Sequence, residues 1–231
     1  MAIWAIVPAA GVGARMMAAT PKQYLLINGK SVIAHTVERL LSVTEIDRVV
    51  IATHPQDTLW GSLGATTNSR VTTCVGGSDR CQSVLNALLC LEKVAEERDW
   101  VLVHDAVRPC VRKDDIEVLL CEIEQHSVGG LLAMPVSSTL KRAGADGNIA
   151  ATVDRSDMWL AATPQAFRYG RLLTALKNAI TNGSLVTDEA SAMELAGFAP
   201  KLVRCRADNI KITYSEDLLL AGLIMTAQES E

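Results

Sequence analysis

Apolar positions along the chain fall into short continuous runs that alternate with stretches where they recur every three or four residues. Ile3–Val7 predicts a strand, ended by Pro8. From Ser31 to Leu41, the residues Ile33, Val37, Leu40 and Leu41 share one helical face, with Ser31 as the cap. Strands are expected at Arg48–Thr53 and Val71–Val75. A helix follows at Asp79–Val94, with Val84, Leu85, Leu88 and Leu89 toward the core. Trp100–His104 predicts a buried strand, Asp114–His126 a helix and Gly130–Val136 a further strand. Helices at about 168–182 and 187–196 each stop at a glycine, Gly183 and Gly197. Lys201–Cys205 and Ile210–Thr213 predict short strands, and Ser215–Gln228 a closing helix.

This alternation implies an α/β fold with a mainly parallel, twisted, helix-covered sheet. No repeat, low-complexity tract or flexible linker divides the chain, so residues 1–231 are expected to form one domain. One segment breaks the rhythm. Thr139–Ala143, a turn over Gly144–Gly147, and Ile149–Asp154 predict a β-hairpin. An isolated hairpin is marginal in water, so this one needs a surface to pack on, and a second copy of the chain could supply it.

Composition narrows the partners. Of 231 residues, 49% are hydrophobic, enough for a globular core. Lys plus Arg is 22 and Asp plus Glu 26, a net charge of −4, which argues against a nucleic-acid binder. The six cysteines show no C-x-x-C spacing and read as reduced, small core residues of a cytosolic protein. The four histidines form no H-x-x-x-H pattern, so a histidine-built metal site is not expected. The first residues lack a basic region, and no apolar run reaches the ~18 residues of a membrane span. A soluble, cytoplasmic protein is the expectation, without nucleic-acid or membrane partners.

The chemistry begins in the loop after the first strand. Ala9, Ala10, Gly11 and Gly13 let the backbone approach a ligand, and its N–H groups can cradle phosphate. A dinucleotide fingerprint would need a third glycine where Met16 stands and an acidic residue where the Arg48–Thr53 strand ends, and both are missing. Asn28-Gly29-Lys30-Ser31 is not a P-loop, because Tyr24 occupies its first glycine position. Arg15 and Lys22 follow the carboxyl end of a buried strand, where open α/β sheets bind ligands, and this context points to phosphate. Gly76–Ser83 opens a helix, with Gly77 permitting unusual backbone angles and Arg80 and Ser83 able to face a ligand. Asp105, in His104–Pro109, can bind Mg²⁺ or ribose hydroxyls. Thr187-Asp188-Glu189 reads first as a helix start with Thr187 as cap.

The segments PAAGVGARM, PKQYL, GGSDRCQS, HDAVRP, PVSSTLKR, TVDR, TPQAF, TDEAS and ADNIKIT occur in that order between residues 8 and 213. As an ordered set, this resembles the 2-C-methyl-D-erythritol 4-phosphate cytidylyltransferase family. The resemblance implies a Rossmann-like nucleotidyltransferase fold with a protruding β-arm at about 137–156, interlocked with its copy in a homodimer. It implies CMP transfer from CTP to methylerythritol phosphate, with Mg²⁺ bridging the triphosphate oxygens and Asp105 near the ribose and metal. Arg15 and Lys22 would stabilise the transition state and leaving pyrophosphate, while Arg155 and Lys211 would hold the attacking phosphate. Ala9, Ala10, Gly11, Gly13, Gly77, Arg80, Ser83, Asp105 and Ala106 would surround CTP. Arg108, Thr139, Thr163, Thr187 and Asp208 would belong to the sugar-phosphate region. The alternatives are a cytidylyltransferase for another polyol phosphate, such as ribitol 5-phosphate, and a non-catalytic nucleotide-binding Rossmann protein.

Overall fold

The computed structural model describes residues 1–11 and 20–231, the side chains of residues 65 and 66 excepted. The strands are β1 (Ile3–Ala9), β2 (Leu26–Ile27), β3 (Lys30–Ser31), β4 (Arg48–Thr53), β5 (Val71–Val75), β6 (Trp100–Val103), β7 (Gly129–Pro135), β8 (Leu140–Ala143), β9 (Ile149–Val153), β10 (Trp159–Arg168) and β11 (Lys201–Arg204). The α-helices are α1 (Val32–Leu41), α2 (Arg80–Cys90), α3 (Lys113–Ile123), α4 (Tyr169–Thr181), α5 (Glu189–Leu195) and α6 (Glu216–Glu229). Seven strands form one sheet in the order β11-β7-β10-β6-β1-β4-β5, parallel throughout except for β10, which runs against both neighbours.

Alternation along the strands separates two cores. Ala5 and Val7 join Val49, Ile51 and Leu102 against α1 and α3, through Ile33, Val37, Leu40, Ile116 and Leu119. Trp4 and Ile6 join Val50, Val101 and Val103 on the other face against α2, α4 and α5, through Val84, Leu88, Leu172, Leu176 and Met193. A side chain's parity in its strand thus selects its layer. A third cluster joins α6 to the β2–β3 hairpin and the loop after β6, through Ala221, Met225, Ile27, Val107 and Ile212.

Several boundaries depart from expectation. Pro8 does not end β1, which continues to Ala9 in register with β4. Pairing with β6 stops at Ile6, so Pro8 lies at a one-sided position where a missing N–H disrupts no second ladder. The helix expected to reach Val94 ends at Cys90. Ser31 sits at the α1 N-cap without a side-chain cap bond. Ile210–Thr213 is not a strand; Ile212 N–H donates to Val107 O at 2.9 Å without building a ladder. The pattern missed β10, because Thr163, Pro164 and Gln165 interrupt its apolar run and the β7 register shifts between Ala161 and Gln165. Cys110 and Cys205 are buried as expected, but Cys90 and Cys121 are exposed.

Asn28-Gly29 forms the tight turn between β2 and β3, with φ of 51° and 80° at the two residues. The expected hairpin is present as β8 and β9, an antiparallel pair forming a sheet of its own. Gly147, at φ 79°, closes its turn. Met158, Trp159 and Leu160 at its base, with Ile149 in β9, leave a run of large apolar side chains exposed.

Candidate active site

Chain reversal around β1 creates the site. The path runs outward from β1 to β4 and β5, then returns through α2 to β6 on the other side of β1. The carboxyl ends of β1 and β6 therefore flank a crevice at a topological switch point. A cavity of about 320 Å³ occupies it.

One wall is the backbone at Ala9, Ala10 and Gly11. The buried Gln23 amide nitrogen donates to Ala9 O at 2.9 Å and Gly11 O at 3.0 Å, tying the start of this loop to the 3-10 turn at Lys22–Tyr24. Lys22 stands beside it, with Nζ donating to Ile212 O at 3.0 Å. The opposite wall is Gly77, Ser78, Asp79, Arg80 and Ser83. Asp79 caps α2 by accepting from Gln82 N–H at 2.9 Å. The Ser83 hydroxyl accepts from Gly77 N–H at 3.0 Å and donates to Asp79 O at 2.8 Å, which closes the turn. Gly76 must lack a side chain, because a Cβ there would lie 2.5 Å from Ala10 Cβ.

Asp105 forms the floor beside Ala106. Its carboxylate meets Lys211 Nζ at 2.9 Å, Arg80 Nε at 3.0 Å and Arg108 Nε at 3.3 Å. Burial alone would raise its pKa; the three cations outweigh burial and hold the carboxyl well below the usual range. Behind it, Asp105 N–H donates to Thr163 Oγ1 at 3.0 Å, and the same oxygen lies 3.0 Å from His104 Nδ1.

Ala9, Ala10, Gly11, Lys22, Gly77, Arg80, Ser83, Asp105, Ala106 and Lys211 thus share one cavity. Arg108 and Thr163 support Asp105 from behind it. Gly13 and Arg15 lie outside the described residues. Thr139 and Arg155 are exposed on the arm, away from the cavity. Asp208 is engaged elsewhere, with Arg112 Nε at 2.7 Å and Gln228 Nε2 at 3.0 Å. Thr187 opens onto an adjoining hollow that shares Asp79 and Arg80. It is not the α5 cap; Asp188 is, in a reciprocal capping box with Ser191.

Two buried residues that sequence reasoning passed over shape the site. Gln23 appeared only as part of PKQYL, and Glu189 only as an acidic first-turn residue. Glu189 is 1% exposed and receives Arg80 Nη1 at 2.6 Å and Nη2 at 2.9 Å. A single buried polar residue leaves no periodic trace, so neither was visible before the chain was folded.

A mainly parallel sheet that opens at its switch point onto a glycine- and alanine-walled, lysine-bearing crevice is a Rossmann-like nucleotidyltransferase architecture. A solved structure of 2-C-methyl-D-erythritol 4-phosphate cytidylyltransferase from Francisella tularensis superposes with a TM-score of 0.85 at 36% identity, covering 97% of this chain and all (100%) of that one. The family model for 2-C-methyl-D-erythritol 4-phosphate cytidylyltransferase (IspD) matches residues 3–227. Relatives of that name from Pseudomonas entomophila and Vibrio atlanticus are each 50% identical, over 94% and 96% of this chain and 93% and 94% of their own lengths. The chain belongs to the 2-C-methyl-D-erythritol 4-phosphate cytidylyltransferase family, whose members are nucleotidyltransferase enzymes. The family favours this reading over a non-catalytic Rossmann protein or a ribitol phosphate enzyme. Among the described residues, no helix is long and apolar enough to cross a membrane.

Proposed function

We propose that this chain transfers CMP from CTP to 2-C-methyl-D-erythritol 4-phosphate, releasing pyrophosphate and 4-diphosphocytidyl-2-C-methyl-D-erythritol, a step of non-mevalonate isoprenoid synthesis. The carrying observation is the convergence of a close-approach backbone loop, Lys22, Lys211 and Asp105 on one cavity. A phosphate monoester is already anionic near neutral pH, so the attack needs no general base. What opposes it is charge, because one anion must approach the α-phosphate of another. Fixed cations and alignment lower that barrier.

In this reading, the Ala9–Gly11 backbone and the Gly77–Ser83 turn hold the nucleotide, with Asp105 and Ala106 beneath the ribose. Arg15 and Lys22 stabilise charge on the pentacoordinate phosphorus and the departing pyrophosphate. Lys211, together with Arg155, takes the acceptor's phosphate. Lys211 is half-exposed and pairs with Asp105 at 2.9 Å, so a phosphate can exchange for that carboxylate. Arg108, Thr163, Thr139 and Thr187 remain the sugar-phosphate side of the proposal, Arg108 and Thr163 acting through Asp105, while Asp208, bound to Arg112 and Gln228, is left out of it.

The donor set also bears on Mg²⁺. Among the described residues, no group of three His, Cys, Asp or Glu could hold a metal. With both oxygens held by Arg80, Arg108 and Lys211, Asp105 would take a magnesium ion only in exchange for one of these cations, the substrate phosphates supplying the other ligands. Bound there, the ion would neutralise charge on the triphosphate. The arm is proposed to interlock with a second copy in a homodimer, its exposed Ile149, Trp159 and Leu160 supplying apolar surface. Residues 1–231 then act as one domain, in the cytoplasm where CTP is available.

Pyrophosphate release from CTP and Mg²⁺ with each candidate acceptor tests the proposal. Methylerythritol phosphate should give the highest kcat/KM. Faster turnover of ribitol 5-phosphate, or no release with either acceptor, would overturn it.

A further inference from the structure

Arg80 lines the cavity, yet each of its three guanidinium nitrogens is committed within the protein. Nε donates to Asp105 Oδ1 at 3.0 Å, while Nη1 and Nη2 donate to the two oxygens of Glu189 at 2.6 and 2.9 Å. Glu189 is 1% exposed, and a carboxylate at that depth requires a charged partner. Its placement is itself determined. The Asp188–Ser191 capping box sets the start of α5. Gln165 in β10 then ties α5 to the sheet, donating to Asp188 Oδ2 at 2.8 Å and accepting from Ala190 N–H at 2.8 Å. A paired fork fixes the guanidinium plane as well as its position.

We propose that Glu189 is a positioning residue for the nucleotide half of the site, acting through Arg80 on Asp105 and on the first turn of α2. The proposal rests on the cytidylyltransferase reading. Arg80 is the first residue of α2, next to the Asp79 cap and within the turn that ends at Ser83. A strut from α5 through Arg80 to the end of β6 therefore sets the distance between the Gly77–Ser83 wall and the Asp105 floor. Glu189 also neutralises Arg80. Lys211, more exposed at 38% against 27%, is left as the cation that can leave Asp105 for a phosphate. Without the Glu189 charge, the Arg80 fork loses its anchor, and the Gly77–Ser83 wall and the Asp105 floor are no longer held at one distance.

The test is Glu189→Gln, which keeps the shape and removes the charge. Calorimetric CTP binding, steady-state kinetics and melting temperature are read together. The dissociation constant and KM for CTP should rise about tenfold or more, while kcat and the acceptor KM stay within about threefold of wild type. The double variant Arg80→Gln/Glu189→Gln should be no worse for CTP than the more affected single variant, because the two side chains act as one unit. Unchanged CTP affinity, additive losses in the double variant, or uniform losses that follow a falling melting temperature would each overturn the proposal. A wild-type protein that binds CTP but releases no pyrophosphate would count against the functional reading alone, and the calorimetry would still decide the role of Glu189.

Discussion

Behind the Asp105 floor, hydrogen bonds run in one direction. The Arg108 carbonyl can only accept, so His104 Nε2, 3.1 Å away, carries the proton. Nδ1 then accepts from the Thr163 hydroxyl, whose oxygen accepts from Asp105 N–H. A second proton on the ring would break this chain. Burial pushes the His104 pKa down to about 4, and the nearby Arg108 charge adds to the shift. Between about pH 4 and 6.5 the unfolded chain binds a proton that the folded protein excludes, so stability rises with pH across that window. Acidification through it should cost about 3 kcal/mol. Urea unfolding at pH 7 and pH 4.5 should show a smaller difference for His104→Gln than for wild type. An equal difference would place the acid sensitivity elsewhere. Lys22 carries the kinetic prediction. Lys22→Ala, and equally Arg15→Ala, should lower kcat by at least two orders of magnitude, a loss of about 3 kcal/mol. A rise in KM with kcat unchanged would assign them to ground-state binding instead.

Elements meet at the cavity through two turns in close contact. Gly76 lies where the turn before α2 crosses the end of β1, and an added Cβ would also come within 3.1 Å of Ser83 Oγ and Thr53 O. Backbone cannot yield there as a long side chain could. Gly76→Ala should therefore cost about 1–3 kcal/mol by overpacking and raise the KM for CTP. Thermal unfolding and steady-state kinetics check both parts; wild-type values would mean that the Ala10 loop shifts freely. Gln23 does the reverse work, holding that loop by two hydrogen bonds to its carbonyls. The antiparallel β10 has a comparable role. Its polar Thr163 and Gln165 are buried because each is hydrogen-bonded, one to the β6 end and the other to α5. The interruption that hid this strand from its sequence is the part that supports the site.

The arm is where a second copy of the chain is proposed to dock. Arg155 follows β9 at the arm's base, outside the cavity of its own chain. If arms exchange between two copies, each site takes its Arg155 from the partner. Arg155→Ala and Lys22→Ala should then complement each other. Each alone would be nearly inactive, yet a mixture refolded together should recover about a quarter of the wild-type activity, since random pairing leaves one intact site in each mixed dimer. No recovery, with dimers confirmed by sedimentation, would put Arg155 and Lys22 in the same chain's site. The net charge of −4 fits this arrangement, because the cations that matter are few and placed.

Most of the element order and the arm were readable from the chain, because strand and helix periods are local properties of side chains and glycines mark where the backbone must turn, whereas the interrupted β10 and the division of the core into two layers were not. The resemblance carried by the ordered motifs implied that Asp105, Lys22 and Lys211 surround one ligand site, and the three line one cavity. What the linear pattern could not carry was pairing between distant polar groups: Glu189 with Arg80, Gln23 with the first loop, and Asp208 with Arg112 instead of with the cavity. A buried polar residue is chosen for one partner across space. Its position in the chain carries no period, so only the folded geometry reveals what it holds.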